Sequence, residues 1–200
     1  MDPKAMFQLT YGLFVLTARD GEKDNGCIIN TAGQVTVTPN RITIAVNKQN
    51  YTHDMILKTG VFALSILDQS APFSLFQQFG FQCGRTVDKM ANTPVQRTPE
   101  GVAYLMQHSS AWIAGKVVQT MDLGTHTLFL ADVTDAGVLS GAEPVTYAYY
   151  QKAIKPKPQP TNKKGWRCKV CGYIYEGDPL PADFICPICK HGAADFERIG

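Results

Sequence analysis

Four of the six cysteines in this 200-residue chain stand as two C-x-x-C pairs near its end. Cys168 and Cys171 lie in WRCKVCGY and Cys186 and Cys189 in FICPICKH, with fourteen residues between the pairs. Each pair can turn two thiolates toward one point, and two such turns facing each other make a tetrahedral cage of four sulfurs. The cage suits zinc or a single iron. Zinc there would be a structural staple, whereas iron would carry one electron at a time. Thiolate ligands need a reducing compartment, which makes the expected location cytoplasmic. Cys27 and Cys83 fall outside the pairs and read most simply as buried structural thiols.

A cage of this size accounts for about 35 residues, so the rest of the chain must form a domain of ordinary size. The expected partition is 1–154 for the larger domain, 155–165 for a linker and 166–200 for the metal domain. The linker KPKPQPTNKKG alternates Pro156, Pro158 and Pro160, a pattern that favours an extended and fairly stiff tether. At about 3.1 Å per residue, ten such residues reach roughly 30 Å, enough to present the metal domain to the larger one or to swing it away. Residues 1–154 carry eleven basic against twelve acidic side chains, the linker adds four lysines, and 166–200 carries four against five. No basic patch suggests nucleic acid, no apolar run suggests a membrane span, and the N-terminus has no export signal.

The larger domain reads as mainly β. Tyr11–Thr17 suggests a strand ending in an Asp20-Gly21 turn. Val35 and Val37 alternate with threonines, and Ile42, Ile44 and Val46 share one face of the next strand. Val61–Leu67, Trp112–Met121 and His126–Val133 suggest further strands, the last two joined by Asp122-Leu123-Gly124. A helix starts near Asn50 and stops at Gly60, and a second spans about Ser70–Phe79 with Gly80 closing it. Many strands and few helices suggest a barrel.

Within this domain there is no G-x-G-x-x-G after a strand, no P-loop and no G-x-S-x-G elbow. One anion site is arguable. The stretch from Val46 to Thr52 runs from a strand into a helix start, where unpaired amides and Lys48 could hold a phosphate, although an ordinary capped helix fits the same residues. Asn25-Gly26 could equally be a hairpin turn. His126 shares a strand face with Leu128 and Leu130, as a core or barrel-end histidine would. His53 reads as helix surface and His191 as a knuckle-loop residue.

The stretches TYGLFVLT, NGCIINTAGQVTVTP, IAVNKQNYTHD, FGFQCGRTVDKM, THTLFLADVTDAGVL and EPVTYAYY cover nearly all of residues 7–150. Together they resemble the flavin reductases of the FMN-binding split-barrel type, close to flavoredoxins. The resemblance implies that Asn25, Gly26, Cys27, Ile28, Asn30 and Thr31 line an FMN, the last two toward its ribityl and phosphate end. It also implies that Asn47, Lys48, Tyr51 and Thr52 complete the phosphate site, and that Gly84, Arg85 and Lys89 add a turn and positive charge nearby. His126 matches a histidine that meets the nicotinamide. Tyr147, Tyr149 and Tyr150 would pack over the barrel or a partner subunit. Residues 166–200 resemble a rubredoxin domain of the short form found in rubrerythrins, with Gly172 and Pro187 in its knuckles. That likeness favours a single iron on Cys168, Cys171, Cys186 and Cys189, inside an aromatic shell of Trp166, Tyr173, Tyr175, Phe184 and Phe196.

The fusion resembles the high-molecular-weight rubredoxins. It implies electron transfer from NADH or NADPH through FMN to iron, then to an external acceptor such as a flavodiiron protein that detoxifies nitric oxide or dioxygen. A homodimer is expected from the family. Two alternatives stay open: a reductase that releases reduced FMN and carries a structural zinc ribbon, and a non-enzymatic electron-transfer module reduced by another protein.

Overall fold

The computed structural model describes residues 2–156, 164–187 and 192–200. The large domain is built on one antiparallel sheet whose strand order is β2-β1-β5-β8-β9-β4-β3. The strands are β1 (Phe14–Asp20), β2 (Lys23–Ile29), β3 (Gly33–Thr36), β4 (Arg41–Asn47), β5 (Val61–Leu67), β8 (Ser109–Asp122) and β9 (His126–Val138). The edges, β2 and β3, are not paired with each other, so the sheet curls into a barrel that stays split. A short hairpin, β6 (Val95–Arg97) with β7 (Ala103–Leu105), lies apart from that order.

Local chemistry explains the turns and the alternation. β1 and β2 pair from Phe14↔Ile29 to Asp20↔Lys23, and Gly21 at φ +58° supplies the turn between them. On β4, Ile42, Ile44 and Val46 are buried, which is the face the alternation predicts. β1 is buried on both faces: Leu16 and Ala18 join the barrel-interior cluster, and Val15 joins a second cluster beneath α2 (Phe73–Gly80). β8 must cross the large, fully buried ring of Phe62. Gly115 makes the room, since a Cβ there would stand 2.5 Å from that ring.

Helix α1 (Tyr51–Thr59) follows β4 directly. Asn50 is its extended N-cap residue, though its side chain makes no capping bond. Gly60, at φ +72°, ends the helix and its amide reaches Ile56 O at 2.9 Å. Met55 and Ile56 plug the barrel interior. After β9 the chain returns through two short helical segments, Tyr147–Tyr149 and Tyr150–Ile154. Tyr150 is buried there with its ring 4.6 Å from that of Phe76, which places this tyrosine over the barrel as expected. Burial pushes the Tyr150 hydroxyl up to about 12.

The C-terminal unit is a three-stranded sheet of order β11-β10-β12, formed by β10 (Gly165–Cys168), β11 (Ile174–Tyr175) and β12 (Phe196–Ile199). Phe184 is its aromatic hub, with ring distances of 4.6 Å to Tyr175, 5.3 Å to Phe196 and 6.5 Å to Tyr173. So small a core needs a further staple. Most of the linker, Cys189 and His191 lie outside the described residues. Among the described residues, no helix is long and apolar enough to cross a membrane.

Candidate functional site

A cavity of about 370 Å³ opens where β2, the β4–α1 junction and the segment after α2 meet. Its volume falls within the range of small-molecule sites. Of the residues singled out by sequence, Asn25, Cys27, Ile28, Asn47, Tyr51, Thr52, Gly84 and Lys89 line it. Gly26 contributes through its backbone, because Lys89 Nζ donates to Gly26 O and to Phe79 O, each at 3.1 Å. Asn30, Thr31, Lys48 and Arg85 are not among the lining residues. Gln49 and Asn50, from the candidate anion stretch, and Cys83 also line it, and the cavity gains Phe79, Gly80, Phe81 and Gln82, which the sequence reading did not single out.

The polar side of the cavity is held by hydrogen bonds between its own residues. Asn25 is buried and donates from Nδ2 to Thr52 Oγ1 at 2.9 Å, joining β2 to the first turn of α1. Asn25-Gly26 is not a turn but the middle of β2, paired with Ala18 and Thr17. At the strand–helix junction, Asn47 Oδ1 accepts from the Gln49 amide at 2.9 Å. At the start of α1 the His53 amide donates to Asn50 O at 3.0 Å, and the amides of Tyr51 and Thr52 lie at the positive end of the helix, where they suit an anion.

The charged groups expected near the FMN are each held by protein partners. Lys89 is 4% exposed, and its role is to tie β2 to the end of α2 rather than to offer a surface charge. Burial lowers its affinity for a proton, an effect opposed by the thiols of Cys27 and Cys83. Burial likewise pushes the Cys27 thiol up. Lys48 Nζ pairs with both oxygens of Asp122, at 2.7 and 2.8 Å, at the end of β8. Arg85 pairs with Asp54 at 2.7 Å and lies 4.8 Å over the Tyr51 ring, with Lys23 Nζ also 4.7 Å from that ring. Thr31 bonds back to the main chain of Ala45.

One histidine, His53, differs from expectation, while His126 keeps the strand face expected of it. His53 is buried, not on the surface: Nε2 meets Thr127 Oγ1 at 2.9 Å, Nδ1 meets Asp54 Oδ1 at 3.0 Å, and Phe129 packs edge-on at 5.8 Å. The His53 ring first, and Arg85 second, hold the Asp54 carboxyl below its ordinary range. His126 opens β9 opposite Asn47, with Nδ1 2.9 Å from Thr125 Oγ1. It shares a half-buried face with Leu128 and Leu130, while Thr127, Phe129 and Ala131 form the buried face. Through Asn47 it stands one strand from the cavity.

In the C-terminal unit, the sulfurs of Cys168, Cys171 and Cys186 lie within 4.8 Å of one another, and those of Cys171 and Cys186 are 3.5 Å apart. Tetrahedral M–S bonds of ~2.3 Å require S···S separations near ~3.8 Å, so the cluster fits a thiolate-bound metal with little movement. Cys168 N donates to Tyr173 O at 2.8 Å and Gly172 N to Cys168 O at 2.9 Å, which folds CKVCGY into a knuckle. Cys168 and Cys186 are buried with Phe196 under the aromatic residues expected to surround them.

Cavity and cage together define an oxidoreductase built from an open flavin-binding barrel and a thiolate metal domain. Residues 6–157 match the family described as "Flavin reductase like domain", and residues 166–197 match "Rubrerythrin, rubredoxin-like domain". A high molecular weight rubredoxin of Moorella thermoacetica is 39% identical, with both chains covered in full. A ferric-chelate reductase (NAD(P)H) of Archaeoglobus fulgidus is 36% identical over 78% of this chain and 93% of its own. Among solved structures, a Streptomyces globisporus NADH:FAD oxidoreductase superposes with a TM-score of 0.64 at 22% identity, covering 73% of this chain and 90% of that one. The chain belongs to the flavin reductase like family, in the two-domain form of the high molecular weight rubredoxins. The cofactors that go with the two domains are accordingly a flavin for the barrel and a single iron for the thiolate cluster.

Proposed function

We propose that this protein takes electrons from NADH or NADPH and passes them, one at a time, to an external flavodiiron-type acceptor of nitric oxide or dioxygen. The observation that carries the reading is the presence in one chain of a flavin-sized cavity and a thiolate cluster. FMN bound in the cavity would convert two-electron nicotinamide chemistry into one-electron chemistry, and iron held by Cys168, Cys171, Cys186 and Cys189 would carry single electrons. Asn25 and Thr52 would orient the flavin, and the α1 amides beside Asn47, Tyr51 and Thr52 would hold its phosphate. Lys89 keeps the Phe79–Gly84 wall against β2 by its two carbonyl bonds. Arg85 braces the rim through Tyr51 and Asp54, and Lys48 braces it through Asp122. Asn30 and Thr31 are not among the lining residues; Thr31 ties the chain after β2 to Ala45 of β4, and both would reach only the far end of the ligand. His126 is the candidate to orient the nicotinamide from beside Asn47.

A flavoprotein acceptor is supported by a putative diflavin flavoprotein of Synechocystis sp., which is 28% identical over 150 residues, a quarter of its length. A homodimer, a cytoplasmic location and the partition at 154 and 166 belong to the same proposal. The test is Cys186→Ser. NADH should still bleach the flavin at the wild-type rate, while delivery to the acceptor should be abolished. Full-rate delivery by that variant would overturn the relay.

A further inference from the structure

The wall that closes the flavin cavity is also the wall against which the metal domain rests. Ile28, Gly80 and Phe81 line the flavin cavity, and the same three residues line a second cavity of about 200 Å³. The second cavity is bounded by Val170, the residue before Cys171 in the metal knuckle. Phe81 packs against the cluster of Cys168, Cys186 and Phe196, and it meets Phe73 of α2 edge-on at 5.9 Å. Alongside this apolar contact, Lys155 Nζ donates to Lys169 O at 3.1 Å, so the first residue of the tether clamps the knuckle.

The geometry points to an in-cis docking seam: Val170 of the metal knuckle seats against Phe81, and electrons pass there from the flavin cavity to the thiolate centre of the same chain. The inference rests on the relay reading above and adds its route. Electron tunnelling falls steeply with distance, and Phe81 touches both sites. An apolar contact also excludes water from the centre's surroundings. The tether makes the contact intramolecular, with an effective concentration on the order of mM. Domain contacts of this small kind remain reversible, so the metal domain can leave to meet an acceptor. With both cofactors bound, each passage would take one electron from the reduced flavin to the ferric centre, and the external acceptor would take that electron on before the next. One NADH would thus supply two passages, giving NAD⁺, one proton and two electrons to the acceptor.

The test uses the full, cofactor-loaded chain. Before any nicotinamide is added, amides of 79–82 and 166–170 should be protected from hydrogen exchange, independently of protein concentration. Val170→Glu puts an unpaired carboxylate into the seam and should reduce that protection at least about tenfold. With NADH under anaerobic conditions, its flavin band should bleach at the wild-type rate while its iron band lags at least about tenfold. Lys155→Glu, which leaves the cage untouched, should change both readouts in the same direction. Absent protection, or protection that grows with concentration, overturns cis docking. So does an unchanged iron rate in a Val170→Glu protein that retains normal ferric–thiolate bands. If wild-type iron never bleaches, the relay itself fails, whatever the exchange data give.

Discussion

Replacing Gly84 by alanine should damage the flavin site through one identifiable neighbour. A methyl at Gly84 would overlap Oδ1 and Cγ of Asn25 and stand 2.7 Å from its Nδ2. Asn25 is 2% exposed and holds Thr52 Oγ1 at 2.9 Å, so it cannot retreat without giving up that bond. Over-packing a well-filled site costs about 1–3 kcal/mol. Loss of a buried hydrogen bond costs about 1–3 kcal/mol more. One displaced amide accounts for both, so they do not add fully, and a net loss of roughly 2–4 kcal/mol is expected. Urea unfolding followed at Trp112, in a Trp166→Phe background, would measure it as a lower midpoint with unchanged slope. FMN affinity should fall about tenfold or more, because Asn25 forms part of the cavity. The decisive comparison is a double-mutant cycle. In an Asn25→Ala background the clash is gone, and Gly84→Ala should then cost less than about 1 kcal/mol. Equal costs in both backgrounds would refute the close-approach argument.

Other consequences can be checked separately. At pH 8, iodoacetamide should label Cys83, half-buried on the cavity wall, before Cys27, which is 3% exposed with its thiol pushed up by burial. FMN should slow labelling of Cys83, as read by peptide mass spectrometry; equal rates at the two thiols would contradict the cavity description. The Asp54 carboxyl should titrate below its ordinary 3.8 in an NMR experiment, and Arg85→Ala should move it partway back. Because the folded value is depressed, the stability gained from this pairing is present above the ordinary carboxylate range and is lost as pH falls through the depressed value. A midpoint at or above 3.8 would remove that contribution.

Local patterns carried much of the fold. The alternation of Ile42, Ile44 and Val46, the stop at Gly60 and the run Val61–Leu67 each depend on near neighbours, and each matches an observed element. The C-x-x-C knuckle is equally local. What local pattern could not supply was the consequence of distant packing. Asn25-Gly26 has turn-forming residues, yet Gly21 makes the turn and the pair is carried into β2. His53 looks like a polar residue on a short helix, but α1 lies between β1 and β9 and buries it on Thr127 and Phe129. Lys89 looks like surface charge until α2 folds its end over β2 and offers two carbonyls. The Phe79–Cys83 wall arises from that same long-range fold. Its sequence signals were an apolar helix end, FQQFGF, followed after Gln82 by Cys-Gly-Arg, and the resemblance of FGFQCGRTVDKM to flavin reductases.

The most direct measurement is the visible spectrum of the purified protein, kept anaerobic, before and after NADH. Overlapping flavin and ferric–thiolate bands that both bleach are predicted. A flavin band that bleaches with no iron bands present would contradict the relay, and would mean that the cage holds zinc and the barrel works as a free-flavin reductase.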